Sequence, residues 1–160
     1  MTMFRPVRRK KNELSTEDAK ELLKNARIGV LSVNGDDGYP YAVPVNFLYS
    51  EEENRIWFHG ARAGHKADSI DKNDRVCFTV YGNETVKEEA WAPYVKSAVI
   101  FGRCRVISDP ERAITSLRKF AGKYYPDKDL IEEEIAASAK AVRMFEIEIE
   151  HLSGKEVQEK

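Results

Sequence analysis

The run Tyr41-Ala42-Val43-Pro44-Val45-Asn46-Phe47-Leu48-Tyr49 alternates without a slip. Tyr41, Val43, Val45, Phe47 and Tyr49 fall on one face, the two-residue period of a strand with an apolar side. Pro44 stands in the middle and has no N–H to give a neighbouring strand. The run is therefore a sheet edge, a bulge, or a place where something other than a strand lies alongside. Asn46 puts an amide on the same side as Pro44. Two readings stay open: an ordinary edge strand, or a backbone edge that hydrogen-bonds a flat polar ligand.

On either side the same period recurs in short segments. Arg27 to Asn34 reads as a strand that ends in Asn34-Gly35-Asp36-Asp37-Gly38, which is strong turn chemistry. Arg55 to Gly60 follows the acidic turn Glu51-Glu52-Glu53-Asn54. Asp74 to Tyr81 carries Val76, Phe78 and Val80 on one face. Gly82 to Lys96 reads as irregular, polar and aromatic. Ser97 to Ile107 is a fifth strand, in which Gly102 marks a bulge or a close backbone approach. Val142 to Leu152 is the cleanest, with Phe145, Ile147 and Ile149 opposite Glu146, Glu148 and Glu150.

Helices are expected at the chain's two ends and once between. Ser15 and Thr16 cap a helix to about Ala26, with Ala19, Leu22, Leu23 and Ala26 on one face. A short one spans His65 to about Lys72. Asp109-Pro110-Glu111 opens a third, with Ile114, Leu117, Ala121 and Tyr124 inward, and it stops before Pro126. Asp127 opens a fourth, with Leu130, Ile131, Ile135 and Ala139 inward. Six short strands without crossover helices, except late in the chain, predict a mainly β (α+β) domain whose antiparallel sheet closes on itself. The expected organisation is a basic arm over residues 1–14, read as a solvated tail, and a single domain over 15–160.

Composition excludes several functions. The 26 Lys+Arg against 27 Asp+Glu leave a net charge of -1, so no whole-domain field draws nucleic acid or an anionic membrane. The apolar runs are too short to span a bilayer, and no apolar stretch follows the N-terminal basic residues as in a secretion signal. The expected location is cytoplasmic. Cys77 and Cys104 sit in apolar, β-branched segments as small core hydrophobes. With His59, His65 and His151 they form no ligand spacing, so no metal site is expected.

A second stretch, Trp57-Phe58-His59-Gly60-Ala61-Arg62-Ala63-Gly64-His65-Lys66, runs from a strand through two glycines into a helix. Convergent backbone N–H groups, a helix N-terminus and the Lys66 charge can hold a phosphate without a Walker motif. His59 reads either as a satisfied strand-end histidine or as a group near a ligand. His65 reads as a surface residue or a second phosphate contact.

Taken together, Pro40 to Tyr49, Ile56-Trp57-Phe58-His59-Gly60-Ala61 and Gly64-His65-Lys66 resemble the FMN-binding split-barrel superfamily of pyridoxamine 5'-phosphate oxidase, in its nitroimidazole-resistance (Nim-type) branch. Tyr94 to Arg103 and Gly154-Lys155 extend the likeness. The resemblance implies a six-stranded antiparallel Greek-key split β-barrel with flanking helices, a homodimer, and FMN at the subunit interface. By it, Val43, Pro44, Val45 and Asn46 lie along the flavin ring, and His59, Gly60 and Ala61 cover the ribityl side. Gly64, His65 and Lys66 hold the phosphate, while Trp91, Tyr94, Lys96 and Ser97 reach the flavin of the other subunit. It also implies an oxidoreductase that passes electrons from reduced flavin to a small, nitroaromatic-like acceptor, with His59 as its catalytic candidate. The alternative is a non-catalytic binder of FMN, haem or a deazaflavin. Phe145 to Gly154 is acidic and apolar, without the arginines with which the oxidases hold pyridoxamine phosphate.

Overall fold

The computed structural model describes residues 4–158. Met1–Met3 of the expected arm and the last two residues of the expected domain lie outside the described residues. One antiparallel sheet holds seven strands: β1 (Ile28–Asn34), β2 (Pro40–Asn46), β3 (Leu48–Ser50), β4 (Arg55–Ala61), β5 (Arg75–Lys87), β6 (Ala92–Val106) and β7 (Val142–Gln158). Their order is β2-β1-β5-β6-β7-β4-β3. Four helices flank it: α1 (Thr16–Asn25), α2 (His65–Lys72), α3 (Pro110–Tyr124) and α4 (Lys128–Ser138).

β2 and β3 are consecutive in the chain yet occupy opposite edges of the sheet. The sheet must therefore curl until its edges meet at Phe47, the one residue between them. This is a split barrel, and its inside is filled by Leu31, Phe58, Phe78, Ile100, Phe145 and Ile147, none of them exposed. Burying each such side chain contributes about 1.5–3 kcal/mol. α1 closes one end with Ala19, Leu22 and Leu23, its first turn fixed by Ser15 Oγ, which accepts from the Asp18 N–H at 3.1 Å. α3 lies outside, packing Phe120 against Trp57 and Met144.

The run Tyr41 to Tyr49 keeps its expected apolar face but is two strands, giving seven where six were expected, because the Phe47 backbone pairs with a helix instead of a strand. Its N–H donates to the Tyr124 hydroxyl at 2.9 Å. Its carbonyl accepts from Lys123 Nζ at 2.9 Å and lies 2.7 Å from Tyr124 Oη. Tyr124 Oη is equally close to the Arg27 carbonyl, at 2.7 Å, so one hydroxyl proton is shared between two acceptors. Lys123 Nζ also donates to the Ala26 carbonyl.

Gly102 sits at the register shift between β6 and β7. A Cβ there would stand 2.2 Å from the Glu148 carbonyl oxygen, so the close approach admits only glycine. Three expectations are corrected. Residues 82–96 are not irregular: β5 and β6 stay paired out to Lys87 and Ala92, with β7 alongside β6 as far as Tyr94, a register shift between Gly82 and Thr85, and Trp91 in the left-handed region (φ 51°) at the turn of this ribbon. Thr85, Val86 and Trp91 at its outer part are exposed, so it carries no apolar alternation to read. In α3 the deepest residues are Ser116 and Phe120, whereas Ile114, Leu117, Ala121 and Tyr124 are half-buried. In α4 only Ile131 is buried and Leu130 is 60% exposed. Among the described residues no helix is long and apolar enough to cross a membrane.

Tyr124→Phe leaves the Phe47 N–H without its acceptor and should cost about 1–3 kcal/mol in urea unfolding. Burial, with the Arg27 charge added, pushes the Lys123 ammonium from 10.5 down to about 8. The folded chain thus holds this proton less tightly than the unfolded one. Lys123 therefore adds stability as pH climbs from about 8 to about 10.5, where the neutral amine still has N–H groups for both carbonyls. The stability gap between wild type and Lys123→Met should widen over that window; parallel pH curves would refute the assignment.

Candidate functional site

The two edges part from Phe47 like the arms of a V. Among the described residues β2 has β1 on one flank and no strand on the other. β4 pairs with β3 only through Arg55, Ile56 and Trp57. Beyond that, Phe58, His59, Gly60 and Ala61 pair with β7 alone, opposite Phe145, Met144, Arg143 and Val142. Tyr41, Val43 and Val45 turn into the core, leaving Ala42, Pro44 and Asn46 exposed along the edge. Pro44 is therefore on an edge strand, as its missing N–H requires. The Asn46 amide donates to the Arg27 carbonyl at 3.1 Å.

α2 enters this opening. Its cap residue Gly64, at φ 140°, offers no side chain to the first-turn N–H groups. Lys66, in that first turn, lays its ammonium over Gly60, where a Cβ would come within 3.0 Å of Nζ. The ammonium lies 5.4 and 5.8 Å from the ring centroids of Phe58 and Phe145. Among the described residues it has no ion-pair partner. Burial lowers its pKa. The buried Cys104 thiol is nearby, its own pKa pushed up by burial. An unpaired, half-buried cation beside a glycine and uncapped amides suits a tetrahedral anion.

The other candidates divide into groups. His59 stands on the α3 side of β4 with its ring 5.0 Å from that of Phe120. Burial, and then the Lys66 charge, lowers its pKa. His65 stacks on Tyr41 at 4.1 Å, with Nε2 3.7 Å from Asp36 Oδ2, and so belongs to the β1–β2 hairpin end. Trp91, Tyr94, Lys96 and Ser97 lie on the ribbon turn and the adjoining part of β6. Tyr94 pairs with Thr85, Lys96 with Gly82 and Glu156, and Ser97 with Tyr81 and Lys155. Within one chain the edge strand and the first turn of α2 meet at the Tyr41–His65 stack, while Trp91, Tyr94, Lys96 and Ser97 sit apart on the ribbon and β6.

Sequence reasoning missed a polar hub at Glu146. It accepts from Arg55 Nε at 3.0 Å, from Trp57 Nε1 at 3.1 Å and from Arg112 at 2.5 Å. Burial pushes this carboxyl up, but the hydrogen bonds from Arg112, Trp57 and Arg55 outweigh it and its pKa falls. Arg112 and Trp57 also line an open polar cleft of about 510 Å3 with Glu53 and Lys119. The available signal was the alternation that places Glu146 outward on β7; its partners come from elements remote in sequence.

The pyridoxamine 5'-phosphate oxidase family profile matches residues 15–156. The chain belongs to that family. Among solved structures, a candidate 5-nitroimidazole antibiotic resistance protein from Bacteroides thetaiotaomicron superposes with a TM-score of 0.77 at 19% identity, over 91% of this chain and 87% of that one. A FAD-binding protein from Mesorhizobium loti is 25% identical, with a TM-score of 0.65 over 91% and 96% of the two chains. A flavocytochrome from Azotobacter vinelandii is 21% identical, with a TM-score of 0.75 over 94% of this chain and 71% of that one. No curated protein matches the chain.

Proposed function

We propose that the chain binds FMN in the opening between β2 and β4 and passes electrons from the reduced flavin to a small acceptor. The carrying observation is Lys66: a half-buried ammonium, unpaired among the described residues, over Gly60 at an uncapped helix start. One such cradle, and no dinucleotide fingerprint in the sequence, favours a single phosphate, hence FMN over FAD. The family membership and the similarity to proteins named as FAD-binding and as a flavocytochrome support a flavin ligand.

When bound, the flavin supplies the redox chemistry. The chain's own residues position and shield it. Lys66 and the first turn of α2 hold the phosphate beside Gly64, while His65 stays stacked on Tyr41. The edge from Val43 to Asn46 lies along the ring, and Gly60 and Ala61 leave the ribityl side uncrowded. His59, its pKa lowered by burial and then by the Lys66 charge, offers a ring nitrogen for a hydrogen bond. An anion on Lys66 would offset the second of these causes and raise the His59 pKa. Small acceptors include nitroaromatics. A non-catalytic binder of FMN, haem or a deazaflavin is favoured if His59 serves only to pack Phe120.

The ribbon supplies the argument for two subunits. Tyr81, Val86 and Trp91 on the ribbon are 68%, 67% and 89% exposed, apolar side chains that a subunit interface would cover. A homodimer would cover them and bring Trp91, Tyr94, Lys96 and Ser97 to the partner's flavin, uniting clusters that one chain keeps apart.

Lys66→Ala should weaken FMN binding about 10- to 150-fold, the effect of losing one charged contact of about 1.5–3 kcal/mol. Fluorescence titration reads this, and an unchanged affinity would sink the phosphate assignment. His59→Gln should keep FMN and lower turnover about 10²-fold if the residue donates a proton; equal turnover per bound flavin would assign His59 to packing. Light scattering at micromolar concentration should report a dimer. A stable flavin-loaded monomer would exclude the shared interface.

A further inference from the structure

The N-terminal arm is a strap with two anchors. Phe4 lies parallel to His151, centroids 4.9 Å apart, and stacks on Phe101 at 5.4 Å. At the other end the Leu14 N–H donates to the Gly154 carbonyl at 2.9 Å, and the Glu13 backbone forms an antiparallel β-bridge with that of Lys155. Beneath the strap run the cross-strand pairs Ser97–Lys155, Val99–Ser153 and Phe101–His151 of β6 and β7, all on one face of the sheet.

Between strap and sheet is a groove of about 230 Å3 whose polar lining comes from Arg5, Arg8, Ser97, Ser153 and Lys155. Among the described residues no carboxylate lines it, and none of the three cations has an ion-pair partner. Glu13 is engaged by Lys10 at 3.3 Å, and Glu156 stands opposite Lys96 in the β6–β7 register. Pro6 stiffens the strap between the arginines. Three exposed like charges thus line the groove together with two hydroxyls. Two guanidinium forks are suited to phosphate oxygens. The volume admits a phosphate or diphosphate group and is small for a whole nucleotide.

We propose that this groove binds the phosphate or diphosphate group of a ligand, with the Phe4-anchored strap supplying Arg5 and Arg8 and β6–β7 supplying Ser97, Ser153 and Lys155. The site is separate from the Lys66 turn of the same chain and shares only Ser97 with the surface proposed to reach a partner's flavin.

Titration calorimetry of the full chain with inorganic pyrophosphate, and separately with ADP, tests it. Wild type should bind pyrophosphate saturably at low salt and more weakly as salt rises. Arg5→Ala/Arg8→Ala should lose at least tenfold in affinity, whereas Lys66→Ala should keep one binding event at the wild-type affinity. Equal binding of ADP and pyrophosphate would support recognition of the phosphates alone, and tighter ADP binding would support a nucleotide. Lys155→Ala, an exposed position, provides a second reading if the double variant does not fold. Wild-type affinity in both groove variants overturns the proposal, as does no binding at millimolar pyrophosphate. Loss of all binding in Lys66→Ala alone also overturns it while leaving the flavin phosphate site intact.

Discussion

At Phe47 the backbone crosses from one edge of the sheet to the other, where no strand can pair with it. A buried N–H and C=O left there unsatisfied would each cost a few kcal/mol. α3 meets both with Tyr124 and Lys123, and the same two side chains take the carbonyls of Ala26 and Arg27 where α1 hands over to β1. The barrel is thus sewn shut at one point by side chains and left open beyond it. The opening is a direct result, since β2 and β4 converge only at the stitch.

α3 reaches that point because it is held elsewhere. Glu146 on β7 grips Arg112 near the start of the helix, and Trp57 and Met144 receive Phe120 in its middle. Lys123 and Tyr124 follow within the last turn. The two half-buried lysines then have opposite circumstances. Lys123 is matched by two carbonyls, so its position is structural. Lys66 is half-buried and, among the described residues, has no ion-pair partner, the circumstance on which the proposed phosphate contact rests.

Much of this was legible in the residues. The strand alternation, the Ser15, Asp109 and Asp127 caps, the Pro44 edge and the Gly102 close approach are local signals, written in neighbouring residues. Those that were not legible depend on distance in sequence. Nothing in Tyr124 announces Phe47, 77 residues away, and the half-buried stripe of α3 hides Phe120 because its partners come from β4 and β7. The ribbon beyond Gly82 escaped because strands without a core show no period. In the site, the approach of Lys66 to Gly60 followed from the short strand-to-helix turn, whereas the separation of His65, drawn to Tyr41 and Asp36, needed the folded hairpin.

Pro44 has a further consequence for how the protein tolerates its own opening. A free strand edge ordinarily templates the addition of another chain. Pro40 and Pro44 share one lateral direction of the backbone with Ala42 and Asn46, and the unbroken ladder to β1 leaves that direction to the free flank. Only Ala42 and Asn46 there retain an N–H, spaced too widely to zip a continuous ladder yet sufficient for the edge of a small flat molecule. The gap in the barrel is guarded against polymerisation by the same residue that marks it in the sequence.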